Sequence, residues 1–416
     1  MASSTSQKII IAGSGIVGML FALRTKQLAG ESVDILLCDA TLDDLRKSGR
    51  ASTIAAGPRA AFQAAGVWEE IADHVQAIQA MHITDSRLKD ALRPTYLHLD
   101  GEVGAGEPFA HVVEEAPLLL AMRRRCTQAG IKTLKANLRA VSQQNGSVCV
   151  TLDDQSTHSG ALLVAADGAN SRARRLFRIT TTGRDYHQFG VVATLQLQRP
   201  HQGIAVQHFL AGGPFAMLPL SQNRASIVWT LPTATARAYL QLSPTEFNAL
   251  LQEHFSPQFG EMQLIGPQMG FPLRLQLARS YIDERFAMIG DAAHVVHPLA
   301  GQGANLGLAD AIALADIIAE QARLGLDIGA HRGLTDYQRA RRTDVTLMAA
   351  ATDGLNRLFC NDSLPLRLLR DLGMGLVERL PRAKARIVAH AAGKTEASGA
   401  LADPLNRRER GLPPAA

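Results

Sequence analysis

Three glycines, Gly13, Gly15 and Gly18, form a Gly-x-Gly-x-x-Gly turn, and a carboxylate, Asp39, follows about twenty residues later. Glycines at that spacing work through the main chain. Gly13 permits a tight turn, Gly15 lets a pyrophosphate approach the backbone, and Gly18 lets a helix pack closely on a strand. Ile16 and Val17 sit inside the same turn, at the start of the helix it opens. A helix N-terminus offers unpaired N–H groups and a positive dipole end to phosphate. Asp39 stands where an acid accepts ribose hydroxyls and disfavours a 2′-phosphate, so the pattern calls for NAD or FAD rather than NADP. Glycines alone could merely pack a helix on a strand. The strand before them and the acid after them favour the dinucleotide.

Two later segments choose between the cofactors. An apolar run, residues 162–166, leads into Asp167-Gly168 and then a serine and a cluster of arginines. A second apolar run, residues 286–289, ends in Gly290 and Asp291 and continues through a glycine-rich loop into a long apolar stretch. An acid at a strand end suits a polyol hydroxyl. The loop 298–305, with Pro298, Gly301, Gly303, Ala304 and Asn305, can bring N–H groups and a helix N-terminus to the pyrimidine edge of an isoalloxazine. Such groups would stabilise the negative charge of reduced flavin. A plain turn explains the glycines but not Asp291 together with Asn305. The three segments, in this order, describe one FAD.

On these residues the chain resembles the class A flavin aromatic hydroxylases of the para-hydroxybenzoate hydroxylase fold, and among them the UbiH/UbiF/UbiI group of ubiquinone-biosynthesis hydroxylases. The stretch "GDAAHVVHPLAGQGANLGLAD", residues 290–310, is close to that group's signature. Further similarities lie at residues 50–68, 185–195, 213–232, 352–359 and 378–393, so the resemblance runs from about residue 7 to 395. It implies an FAD-dependent ring hydroxylase using NAD(P)H and O2. A flavin C4a-hydroperoxide would then pass its distal oxygen to an electron-rich ring. It also implies roles for particular residues. Gly13, Gly15 and Gly18 would hold the pyrophosphate and Asp39 the adenosine ribose. Arg50 would reach the flavin side, and Asp167 would serve FAD and reductant together. Asp291 would bind the ribityl chain, while Gly303, Ala304 and Asn305 would line the ring. No catalytic side chain is assigned, because the cofactor carries the chemistry and the protein excludes water and holds the ring. The resemblance further implies a polyprenyl-phenol substrate, partners in a ubiquinone-biosynthesis complex, and peripheral contact with the inner membrane from the cytoplasm. There are departures: Asp39 replaces a usual Glu, residues 54–56 lack the usual hydroxyls, and residues 115–117 lack an Asn-Arg pair. The re-face partner of the flavin is therefore left unassigned. Two other readings stand beside this one: hydroxylation of a soluble aromatic in catabolism or secondary metabolism, and flavin binding without oxygenation.

These residues need a particular scaffold. The segment "KIIIA", the glycine turn, an apolar helix and "SVDILLCDA" read as a βαβ unit. The expected class is α/β with an α+β substrate region: a Rossmann-like FAD domain, an inserted mixed β-sheet and C-terminal helices. The FAD domain is expected at 1–75, 100–180 and 270–345 and the substrate domain at 76–99 and 181–269. A helical region at 346–395 and a loose tail at 396–416 follow. At 416 residues and 46% hydrophobic, the chain can bury such a core. Four cysteines, Cys38, Cys126, Cys149 and Cys360, show no paired spacing, so neither a disulfide framework nor a zinc site is expected. His294 and His297 lack a ligand cluster and read as packing and hydrogen bonding under the loop, with no metal.

No run reaches the roughly 18–20 apolar residues of a membrane span, which agrees with a cytoplasmic location. The net charge of +5 comes without a nucleic-acid motif, so no nucleic-acid partner is expected. Residues 364–388 combine apolar and cationic positions; they suit either an anionic lipid surface or a domain cap. Phe215, Met217 and Trp229 on a predicted hairpin either line the substrate cavity or fill a core by strand alternation. The arginines at 123–125 read as a solvated helix face.

Overall fold

The computed structural model describes residues 6–41, 50–85, 95, 97–100, 102–104, 107–144, 146–210 and 212–360. Its first strand, Gln7–Ala12, is rich in Ile and enclosed on both faces, as a central parallel strand must be. It pairs in parallel with Val33–Cys38 on one side and Leu162–Ala165 on the other. The whole sheet runs Lys132–Leu134, Val33–Cys38, Gln7–Ala12, Leu162–Ala165, Phe286–Met288, Ile282–Asp283, and only the last strand is antiparallel. In register, Ala12 lies beside Cys38 and Ala165, and Ala165 beside Met288. The residues after these strands therefore emerge side by side along the sheet's carboxyl edge, where open α/β sheets bind ligands.

Helix α1 (Ile16–Ala29) is apolar over its first two turns, where residues 18–23 are all buried, and turns Gln27 and Leu28 to solvent near its end. Helices α2 (Ala56–Ala64), α3 (Glu115–Gln128) and the short α4 (Arg172–Leu176) complete this half with the long helices introduced below. Ser171 caps α4, its Oγ accepting from the Arg174 N–H at 2.9 Å. A small sheet of Ala51–Ala55, Ala110–Glu114 and Val75–Ala77 leads toward the second half.

That second half is an eight-stranded mixed sheet: His294–Val295, Met262–Ala278, Thr181–Leu197, Arg224–Pro232, Phe215–Leu220, Ile204–Phe209, Ala80–Asp85, Leu97–Asp100. Helices α5 (Thr233–Tyr239) and α6 (Pro244–Phe259) cover one face. A capping box starts α6: Ser243 N–H donates to Glu246 Oε2 at 2.8 Å, and Glu246 N–H to Ser243 Oγ at 3.3 Å. The chain then returns to the first half through α7 (Gln302–Arg323) and α8 (His331–Phe359).

Three expected boundaries shift. The strand Met262–Ala278 stays paired with Thr181–Leu197 as far as Ala278, so residues 270–278 belong to the substrate sheet. Residues 75–77 pair with 111–113 in the small sheet and not in the eight-stranded one. Helix α8 runs through residues 345 and 346 without a break, because its buried positions Leu334, Tyr337, Arg341, Val345, Ala349 and Thr352 follow one helical stripe. The rest of the expected C-terminal region, the tail and the cationic segment 364–388 lie outside the described residues. Among the described residues no helix is long and apolar enough to cross a membrane.

Candidate functional site

The N-terminal turn divides its labour among the glycines. Gly13 has φ +108°, and a Cβ there would lie 2.3 Å from the Ala166 carbonyl oxygen; a Cβ on Gly18 would lie 2.2 Å from the Gly13 oxygen. Both close the turn against neighbouring main chain. Gly15 is different: a Cβ would meet nothing within 4 Å, and the residue caps α1 without any side-chain hydrogen bond. It leaves open room at a helix N-terminus. Val17 builds the site from behind, since a Cβ on Gly290 would lie 3.2 Å from it and one on Gly307 3.0 Å. Ile16 is partly buried against the core.

Asp39 is already engaged. Its Oδ2 accepts from the Ser14 N–H at 2.7 Å and the Ser14 hydroxyl at 2.8 Å, and its Oδ1 from the Thr41 N–H and hydroxyl at 2.8 and 2.7 Å. Burial pushes the carboxyl upward, but these bonds outweigh it and hold it below the ordinary carboxylate range. Ser14 was missed from sequence, although a hydroxyl inside the glycine turn was a usable signal.

Asp167 caps the next turn. Its Oδ2 accepts from the N–H groups of Arg172 (2.7 Å) and Ala173 (3.0 Å), while its buried Oδ1 has no hydrogen-bond partner among the described residues. Arg174, seen from sequence only as one of a cluster, is buried and donates to Ala292 O at 2.6 Å and Ala169 O at 2.9 Å. It fastens the Asp-Gly turn to the turn that carries Asp291.

Asp291 lies in the turn Gly290–Ala292, whose Gly290 has φ +61°. Its side chain is exposed and takes no hydrogen bond from any described residue, yet surrounding protein desolvates it and pushes its carboxyl upward. A side chain standing inside a recess has both properties. His294, Arg50 and Arg274 pull the other way. Arg50 reaches this side of the sheet, with its guanidinium 4.8 Å from the Phe271 ring centre and 3.7 Å from the Glu115 carboxylate.

In the following loop, Gly301 (φ +66°) caps α7, and a Cβ there would lie 2.9 Å from Thr53. Gly303 faces open space, and Ala304 and Pro298 are half-buried beside it. Asn305 does something the sequence did not show. Its Oδ1 accepts from the Ala55 N–H and its Nδ2 donates to the Thr53 carbonyl, both at 2.9 Å. Its amide thus pins the start of α7 to the strand Ala51–Ala55. Of the two loop histidines, His294 donates from Nε2 to Asp310 Oδ2 at 2.5 Å. His297 is fully enclosed, neither ring nitrogen has a hydrogen-bond partner among the described residues, and burial pushes it down to about 4. Among the described residues no group of His, Cys, Asp or Glu is arranged to hold a metal ion.

Phe215, Met217 and Trp229 do not line this cleft. They are buried under α6 with Phe247 and Phe255, with Phe215 stacked on Phe255 at 3.9 Å. Strand alternation gives the opposite face to Ala216, Leu218, Val228 and Thr230. That face approaches the loop: Phe209, on the same side, packs with Leu299 and Phe359. At residues 123–125, Arg124 and Arg125 pair with Glu70 at the surface.

The arrangement fits FAD. Gly15 and Gly303 leave room for a ligand to approach main chain, and among the described residues one Asp167 oxygen and the Asp291 carboxylate have no hydrogen-bond partner. All four sit beyond the carboxyl ends of adjacent strands or at the helix start that faces them.

Comparison with known proteins agrees. An FAD binding domain family matches residues 6–352. Ubiquinone hydroxylase UbiL of Rhodospirillum rubrum is 37% identical, covering 92% of this chain and 89% of the relative. Ubiquinone biosynthesis monooxygenase COQ6 of Danio rerio is 30% identical, covering 94% and 91%. The p-nitrophenol 4-monooxygenase PnpA of Pseudomonas putida has the same fold, with TM-score 0.77 over 94% of this chain and 99% of that one, at 16% identity. The chain therefore belongs to the FAD binding domain family and, within it, to the UbiH-type flavoprotein monooxygenases.

Proposed function

We propose that this enzyme hydroxylates the aromatic ring of a polyprenylated phenol on the way to ubiquinone, using O2 and NAD(P)H. The similarity to UbiL over 92% of the chain carries the reading. Bound FAD, once reduced, supplies the activated oxygen. The protein's own residues do the rest. The open backbone at Gly15 receives the pyrophosphate at the start of α1, and Asp39 receives the ribose in place of the Ser14 and Thr41 hydroxyls. Asp291 takes the polyol, Asp167 and Arg50 flank the flavin, and the α7 N-terminus behind Gly303 meets the ring edge. The sheet face of Ala216, Val228 and Thr230 holds the substrate ring, beside Leu218, which packs on the small sheet, and the packing of Phe209, Leu299 and Phe359 keeps water from the loop. A long isoprenoid tail cannot be enclosed in a domain of this size, so the cavity opens to the surface. The enzyme works in the cytoplasm with peripheral contact at the inner membrane or with a partner complex.

The deciding experiment is quinone profiling by mass spectrometry in a deletion strain. The reading expects ubiquinone to fall and a polyprenyl phenol lacking one hydroxyl to accumulate. Normal ubiquinone, with no redundant hydroxylase present, would assign the enzyme to a soluble aromatic instead. Anaerobic mixing of the purified protein with NADH and with NADPH identifies the reductant by loss of flavin absorbance.

A further inference from the structure

Beneath the turn that carries Asp291 lies a charge the sequence did not single out. Asp310, on α7, is wholly enclosed and accepts three hydrogen bonds: from the Gly290 N–H at 3.0 Å, His294 Nε2 at 2.5 Å and Arg341 Nε at 2.8 Å. Arg341, nearly as buried, turns its Nη1 to Asp344 at 2.9 Å. Burial pushes the Asp310 carboxyl upward, but His294 and Arg341 outweigh it and keep it ionised. The same helix, α8, steadies the strand leading into this turn: Tyr337 donates its hydroxyl to Met288 O at 2.7 Å.

A buried ion pair adds little net stability over apolar packing of the same shape; its better-attested use is fixing one arrangement. Here the arrangement concerns Gly290, whose positive φ sets the direction of the next residue, and Asp291 has no hydrogen bond of its own to hold it. We infer that Asp310, backed by Arg341, is a positioning residue that aims Asp291 at the polyol of bound FAD, acting through the Gly290 peptide and His294. The inference rests on Asp291 being the polyol-binding acid.

The test uses flavin-free protein carrying Asp291→Ala, Asp310→Asn or both. FAD affinity is read by fluorescence titration, with thermal unfolding of the same samples alongside. Asp310→Asn keeps the size and one acceptor but removes the charge that draws in His294 and Arg341. It is expected to raise the FAD Kd by about tenfold alone and by less than about threefold in the Asp291→Ala background, the non-additivity of residues acting in series. Equal effects in both backgrounds, or lowered stability with unchanged FAD affinity, overturn the inference while leaving Asp291 in its role. A silent Asp291→Ala overturns both. Should Asp310→Asn not fold, Arg341→Lys replaces it in the same cycle. It retains the charge but loses the Nε contact, and the expected rise of about threefold must again vanish without the Asp291 carboxylate.

Discussion

Two glycine turns serve this enzyme, and they are built on opposite plans. The turn at Gly13–Gly18 comes with a saturated acid: each Asp39 oxygen already accepts two hydrogen bonds, and its carboxyl is held below the ordinary range. The turn at Gly290 comes with a bare acid: Asp291 takes no hydrogen bond from any described residue, and desolvation raises its carboxyl. The first acid belongs to the protein's own architecture and lends itself to the ligand. The second is desolvated by its surroundings without a hydrogen bond from any described residue, which carries a cost. Both turns are held by protein alone, the second through Asp310 and Arg174, so the contrast lies in the acids: removing Asp39 should cost flavin-free stability and removing Asp291 should not.

The comparison breaks most visibly at Gly13. Gly13→Ala puts a methyl 2.3 Å from a carbonyl oxygen at φ +108°, and the expected loss is about 3 kcal/mol or more, or no folded protein at all. Circular dichroism and thermal unfolding of flavin-free protein check it. Acid comes next. His297 sits in the second loop with its ring held down at about 4, against 6.5 when unfolded. The unfolded chain therefore binds the extra proton first. Stability present above about pH 6.5 is lost as pH falls toward 4, by up to about 3 kcal/mol from this residue. Urea midpoints at neutral and acid pH should show the slope, and His297→Gln should flatten it, leaving the part due to His111, which burial lowers in the same way.

The two acids give the third contrast. Asp291→Ala should weaken FAD by about 10- to 150-fold, or roughly 1.5–3 kcal/mol, while leaving flavin-free protein as stable as before or more so. Asp39→Ala should lower flavin-free stability as well, because the Ser14 and Thr41 N–H groups lose their acceptor. If Asp291→Ala instead destabilises the flavin-free protein and Asp39→Ala does not, the contrast is reversed. Gly15→Ala should have the smallest effect on stability, within about 1 kcal/mol, yet still raise the FAD Kd because the methyl enters the phosphate's space.

The sequence made the cofactor legible because the constraints there are local. A glycine with no room for Cβ, or an acid at a strand end, can be read within a few residues. Ser14 was within that reach and was overlooked. Arg174 and Ala292, by contrast, meet across 118 positions, and Arg341 meets Asp310 across 31; no spacing rule links them. The substrate hairpin shows a different limit. Alternation separates Phe215, Met217 and Trp229 from Ala216 and Val228, but which face is covered depends on where α6 lies. The expected boundary at residue 270 falls inside a strand whose pairing continues to Ala278, which no local residue pattern marks.

The amide of Asn305 bonds to Thr53 and Ala55, residues some 250 positions earlier, and the central sheet sets Gln7–Ala12 beside Leu162–Ala165 and Phe286–Met288. During synthesis, then, the nucleotide turn leaves the ribosome long before the residues that complete the flavin end. At about 5–20 residues per second the wait from Gly13 to Asn305 is roughly 15 to 60 seconds. Until then Leu162–Ala165 lacks its neighbour Phe286–Met288, whereas Gln7–Ala12 has both of its own once residue 165 has emerged. The carboxyl edge of the sheet is thus complete only once the last third of the chain has arrived.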